Sequence, residues 1–481
     1  MKTFVELVRH SALAMVFHVA PRFANVLIFI FIGRLAGPDQ AGVFSLATTY
    51  LLIITTIMRG LDDLLIRQIG REPEKIADYF GNFLVLRLAL SAGLYVVLLV
   101  FLQYGPNYAP PTAAAIVILT LSVIPDSLGF VAQSILLGRR RFGSPAVILG
   151  LVNLFKIIVG AIVLLRGGSL MAIAWLWVIG SSLGMVALLI PAFRQVGGVR
   201  RAHWLNFAPL QTHRWAAMTF CAITTLTALD SQVDTILLSV FRGEVEVGWY
   251  SAATTVTFSL LVLAQAYRFA VYPLMVQHAQ HEPQRLETLF RKSIYYMTVI
   301  AMPMVMGLII LAPQIVTLVF GIKFIPAIPV LQILSISLLF FFAGEPCNRL
   351  MLVKDRQKSL VRMLLISTVV NVILNVLLIP QIGAIGAAIS RSCSALIFFS
   401  LNYGYIHLTI FPSLRMKSAF RPFLSTMLMA VAIFFLGISH LIINIFIGVV
   451  VYFAALWIMK GFLPEDAAVL KGIISKRISK V

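Results

Sequence analysis

Seven cationic side chains, Arg22, Arg59, Arg87, Lys156, Arg268, Arg349 and Arg391, fall inside apolar stretches long enough to span a bilayer. One charge at membrane depth costs about 2.5–3.5 kcal/mol on insertion scales, so a set of them calls for a shared polar purpose. A water-filled, positively charged cavity between helices supplies it, and such a cavity suits an anionic cargo.

Spacing sorts these residues. His18, Arg22 and Asn25 share one face of the first apolar helix, at i, i+4 and i+7, and Arg22 sits too deep to snorkel comfortably. It reads as lumen-lining; the competing reading is a structural pair with a buried carboxylate such as Asp126 or Asp234. Gln265, Arg268 and Tyr272 share a face farther on, with Pro273 placed to bend the helix. Arg59 ends a polar stripe begun by Thr55 and Thr56 and precedes Asp62 and Asp63, so cargo contact and a local ion pair both fit. Glu345 and Arg349 stand at i and i+4, the spacing of an internal pair. Lys156 and Arg391 lie mid-helix and are lumen candidates, whereas Arg87, nearer an end, ranks last. Four intramembrane carboxylates, Asp126, Asp230, Asp234 and Glu345, have two readings of equal weight: sites for a coupling proton or sodium ion, or charge balance for arginines.

Other chemistries find little support. Gly180-Ser181-Ser182-Leu183-Gly184 matches a hydrolase nucleophile pattern, but it sits in an apolar span with no strand before it, where small residues let helices approach. His278 and His281 are too few for a metal centre, and the three cysteines imply no disulfide framework. No glycine-rich phosphate loop followed by lysine occurs, so ATP is not the expected energy source, and neither a cofactor nor a metal is expected.

The elements that must position these residues are helices. Of 481 residues 60% are hydrophobic and only 12% charged, which makes the chain an all-α polytopic membrane protein. Apolar runs predict about fourteen helices, near residues 11–33, 41–66, 79–103, 112–137, 144–166, 169–193, 216–241, 248–275, 294–320, 327–353, 360–380, 383–410, 421–439 and 441–460. A net charge of +20 would suggest nucleic acid in a soluble protein. Here the basic residues concentrate in alternate short loops, which places those loops and both termini in the cytoplasm and leaves no nucleic-acid partner. Ser11 to Ile32 reads as a retained first helix, not a cleaved signal.

The chain also echoes itself. Gly37…Gly42-Val-Phe-Ser45-Leu-Ala47-Thr48-Thr49 returns as Gly243…Gly248-Trp-Tyr-Ser251-Ala-Ala253-Thr254-Thr255. The echo lies six helices on, an even number, so both copies insert with one orientation. That is the plan of parallel repeats with a substrate site between them. It predicts a six-helix lobe over 1–200, a second over 201–412, and two further helices with a basic tail over 413–481.

These residues together resemble the Wzx-like oligosaccharide flippase branch of the multidrug/oligosaccharidyl-lipid/polysaccharide exporter superfamily. The resemblance is carried by Gly33-Arg34-Leu35-Ala36-Gly37-Pro38, Gly60-Leu61-Asp62, Asp230…Val233-Asp234, Gly248-Trp249-Tyr250-Ser251, Phe320-Gly321, Asn371…Asn375…Pro380 and Gly383-Ala384-Ile385-Gly386-Ala387. It implies a V-shaped pair of lobes, as in the peptidoglycan-precursor flippases and multidrug exporters, working by alternating access. It also implies a polyprenyl-diphosphate-linked oligosaccharide moved across a bacterial or archaeal cytoplasmic membrane, with a glycan polymerase or glycosyltransferases as pathway partners. Arg22, Arg59, Lys156, Arg268, Arg349 and Arg391 would then contact the diphosphate, for which a guanidinium fork is better shaped than an ammonium. The alternative is a drug or metabolite antiporter of the same fold, which should favour buried carboxylates over cations. A membrane glycan polymerase would carry a large outer loop, and every predicted outer loop is short, so an enzyme is not expected.

Overall fold

A computed structural model describes residues 24–139, 141, 143–197, 214–412, 419–436 and 440–461. It is built from helices: α1 (Ala24–Ala36), α2 (Pro38–Arg71), α3 (Ile76–Tyr104), α4 (Pro110–Thr120), α5 (Val123–Gly138), α6 (Gly143–Leu165), α7 (Leu170–Val196) and α8 (Arg214–Arg242) lead. They are followed by α9 (Glu244–Ser259), α10 (Leu261–His281), α11 (Pro283–Val319), α12 (Ala327–Val353), α13 (Gln357–Tyr405), α14 (Phe420–Leu436) and α15 (Leu441–Ile458). α4 with α5, and α9 with α10, are each one broken span, while α13 is two helices meeting at Gly383, where φ is 57°. Counted so, the described residues hold fourteen helices at the positions the hydropathy predicts. Ten spans are long and apolar enough to cross a membrane. The chain is a multi-pass membrane protein, and helices are what a bilayer demands, since each satisfies its own backbone polar groups.

The chain divides into two compact units. The first holds the described residues up to Thr255 together with Thr368–Ser390; the second holds Val256–Ser367 and the described residues from Arg391 onward. In the first, Leu65, Ile69, Phe80, Phe83, Ile135 and Leu188 form a core among α2, α3, α5 and α7. In the second, Met275, Phe290, Phe342 and Leu350 pack α10, α11 and α12 together. α14 and α15 dock on α11 through Tyr295, Met429, Ile433 and Tyr452, and the Tyr452 hydroxyl donates to the Val299 carbonyl at 2.7 Å. Their other faces expose Phe434, Phe435, Ile442 and Phe446, side chains that lipid covers.

Lipid provides no hydrophobic drive between helices, so close backbone approach and polar contacts must hold them. The two echoed segments do this reciprocally within the first unit. Gly37 and Gly243 both turn with positive φ, 96° and 81°. A Cβ on Gly42 would overlap the Glu244 carbonyl, and one on Gly248 would overlap the Pro38 carbonyl. At the centre of the contact the Ser45 and Ser251 hydroxyls share a 2.6 Å hydrogen bond. Residues equivalent by sequence therefore meet one another, as in a contact about a two-fold axis. A second clasp fixes the Gly383 bend: Arg242 donates to the carbonyls of Pro380 (2.8 Å) and Gln381 (2.9 Å), and the Glu246 carboxylate accepts from the Ala384 amide at 2.7 Å.

Candidate functional site

The polar residues singled out from the sequence fall into four groupings, each inside one compact unit. The first joins α8, α9 and α13. Asp230 and Asp234 lie one turn apart on α8, and Thr368, Asn371 and Asn375 lie along one face of α13. Asp234, 1% exposed, accepts from the Tyr250 hydroxyl and the Asn375 amide, each at 2.7 Å. Asn375 also donates to Asn371 at 3.1 Å, and Asp230 accepts from Thr368 at 2.8 Å. Two tandem carboxylates thus gather neutral oxygens and amides from two other helices, a setting able to hold a small cation or a proton.

The second grouping is Asp126 on α5, Lys156 on α6 and Ser181 on α7. The Lys156 ammonium donates to the Ser181 hydroxyl at 3.1 Å and stands 4.8 Å from the centre of the Trp177 ring, a cation–π contact. Lys156 and Ser181 are buried, and Asp126 is half-buried.

The third pairs Arg87 of α3 with Asp62 of α2. Arg87 is fully buried and donates through Nη2 to an Asp62 oxygen, while its Nε and Nη1 find no acceptor among the described residues. The sequence places Arg87 near a helix end with room to snorkel; the structure buries it, because α2 brings Asp62 alongside. The fourth is in the second unit, where Arg349 Nε donates to Glu345 Oε1 at 2.8 Å along α12. This is the pair that the i, i+4 spacing predicts.

The remaining candidates are dispersed. Arg59 is exposed on α2 and pairs with no carboxylate among the described side chains. Arg391 is buried on α13, as are Ser390, Ser392 and Ser394 along the chain. Asn25 is exposed on α1. His18 and Arg22 lie outside the described residues, as do the side chains of Gln265 and Arg268 on α10. The sequence gives Ser181 a place only in a motif of close helix approach, and Tyr250, Asn371 and Asn375 only among the residues that carry the family resemblance. The two asparagines carried a visible signal, amides a helical turn apart in an apolar span, but the helix they face is more than a hundred residues away.

Comparison with known proteins adds the wider setting. A family model described as "Polysaccharide biosynthesis protein" matches residues 56–329. Over 464 residues the chain is 25% identical to the probable low-salt glycan biosynthesis flippase Agl15 of Haloferax volcanii, covering 93% of this chain and 95% of that one. It is 25% identical over 346 residues to the succinoglycan biosynthesis transport protein ExoT of Rhizobium meliloti, covering 70% and 66%. Among solved structures, the lipid II flippase MurJ in an inward closed conformation superimposes with a TM-score of 0.75 at 16% identity, over 91% of this chain and 97% of that one. That likeness shows the fold.

Proposed function

Because the chain belongs to the polysaccharide biosynthesis protein family, we propose that it translocates a polyprenyl-diphosphate-linked oligosaccharide across the cytoplasmic membrane by alternating access. The observation that carries this reading is similarity along nearly the whole chain to a glycan biosynthesis flippase. The headgroup enters a cationic aqueous cavity while the polyprenyl tail stays in lipid. Arg22, Arg59, Arg268 and Arg391 offset the dehydration of the diphosphate, and Arg349 joins them when its bond to Glu345 opens. Moderate, multipoint binding suits a carrier, which must also let its cargo go.

Two six-helix halves rocking about the echoed segments would open the cavity first to the cytoplasm and then outward. Ion movement drives the cycle through the buried carboxylates, among them Asp230 and Asp234. Both termini are cytoplasmic, no covalent chemistry is performed, and the polymerase or glycosyltransferases of the same pathway are the natural partners. Deletion of the gene tests the reading: a lipid-linked glycan should accumulate on the cytoplasmic side, and re-expression should clear it. Unchanged lipid-linked glycans in the deletion strain would remove the proposal.

A further inference from the structure

The Gly383 bend of α13 is held by charges from outside its own helix. Arg242 donates to the carbonyls of Ile379 (3.2 Å), Pro380 (2.8 Å) and Gln381 (2.9 Å), in the last turn before the bend. Glu246 accepts from the Ala384 amide at 2.7 Å, in the first turn after it. A cation thus meets carbonyls at one helix C-terminus, and an anion meets an amide at the next helix N-terminus. Both helix dipoles favour that arrangement. Gly383 has φ 57°, and a Cβ there would overlap the Glu246 carboxylate, so the bend is shaped around this side chain.

The clasp continues an alignment that includes the carboxylates of α8. Asp230–Thr368, Arg242–Pro380 and Glu246–Ala384 each join residues 138 apart in the chain, and Asp234–Asn375 joins residues 141 apart. α8 and the first half of α13 therefore run side by side in the same direction. Arg242 and Asp234 are separated by about 12 Å of helix. Thr368–Ser390, the stretch that carries these contacts, belongs to the compact unit of α8, while the rest of α13 belongs to the other.

Capping alone does not require such a clasp. The turn between α6 and α7 also passes through a positive-φ glycine, Gly167 at 76°, and there Ser169 caps α7 itself, accepting from the Ala172 amide at 3.4 Å. The echoed segments supply a second contrast. Arg242 and Glu246 stand where the first copy has Ala36 and Gln40. At the same spacing, Asp230 and Asp234 stand where it has Ala24 and Ile28. The copy without the carboxylates also lacks both charges of the clasp.

We propose that Arg242 and Glu246 are positioning residues: by pinning the Gly383 bend to α8 and α9, they set the register in which Asn371 and Asn375 meet Asp230 and Asp234. The inference rests on the reading that these carboxylates couple ion movement to transport. Lipid gives apolar helix faces no preferred register, so polar contacts must set it. Asn375 reaches Asp234 through one 2.7 Å bond, and a small rotation or slip of α13 would remove it. With the far end clamped, that freedom is gone.

The test is infrared spectroscopy of the full-length protein in phosphatidylethanolamine–phosphatidylglycerol vesicles, reading the Asp234 carboxyl band as the one that D234N lacks. R242A and E246A should shift this band, because the Asn375 amide leaves it, although neither substitution touches Asp234. R242K, which keeps a cation at the carbonyls, should restore part of the wild-type position. The reversed pair R242E–E246R should not, because a carboxylate would then face carbonyls. Q40A, at the matching place in the first copy, should leave the band where it is. In cells, R242A and E246A at wild-type abundance should lower glycan export by about tenfold or more, the usual effect of losing partners that orient a site. R242Q and E246Q, which keep side-chain bulk, carry the same test if the alanine variants do not accumulate. A band unmoved by these variants, or normal export from them in a strain where D234N blocks export, overturns the positioning role and reduces the clasp to a helix cap. Normal export by D234N removes the coupling role of that carboxylate and the positioning inference with it, leaving the flippase reading in place. A deletion strain with no glycan defect overturns the flippase reading, while the spectrum still decides the positioning.

Discussion

Arg87 and Arg349 are both guanidinium groups set beside a carboxylate in an apolar helix, yet different parts of the chain hold them. Arg349 takes its partner, Glu345, from one turn earlier on the same helix, and both side chains keep some exposure, 19% and 16%. Arg87 takes Asp62 from another helix, 25 residues away, and is itself completely buried. A pair within one helix travels with that helix and survives any rearrangement of its neighbours. A pair between helices depends on their relative position, and its loss strands a charge. The first is therefore free to serve cargo, and the second is bound to the packing of α2 against α3.

Substitutions should separate the two. D62A leaves Arg87 buried without its counter-charge and should cost about 3–5 kcal/mol, seen as a large fall in the thermal midpoint of the purified protein. Replacing both, as D62L–R87M, should recover most of that loss; a double variant as unstable as D62A would show that the pair is held for more than charge balance. E345Q should cost far less, about 0.5 kcal/mol, because Arg349 is only partly buried. R349A should lower glycan export while the thermal midpoint stays within error of E345Q. The smallest structural effect belongs to R59A, whose exposed side chain should leave the midpoint unchanged while export falls. Loss of folded protein in R59A would place that residue with Arg87 instead.

The contrast also explains what was legible before the fold was known. The Glu345–Arg349 bond follows from helical periodicity alone, and the structure has it at 2.8 Å. The Arg87–Asp62 bond does not, since nothing within α3 signals which residue of α2 will lie opposite. The apolar pattern accordingly puts Arg87 near a helix end, whereas it is among the most buried side chains of the described residues. The Gly180-Ser181 pair was legible as a site of close approach, but that a lysine stem would be the thing approaching was not. Likewise the echo of Gly37–Thr49 in Gly243–Thr255 was visible by inspection, while the meeting of Ser45 with Ser251 needed both copies folded.

Composition and period determined the class of this protein: a chain 60% hydrophobic, in runs of bilayer length, has no option but transmembrane helices. They also determined which cations and carboxylates fall within apolar stretches and which share a helical face. Only the tertiary structure decided who faces whom: Asp234 with Tyr250 and Asn375, Asp62 with Arg87, and Lys156 with Ser181. The reason is geometric. Helical periodicity is set by bonds four residues apart and is written locally, whereas the rotation and depth at which two helices meet emerge from the packing of every side chain between them.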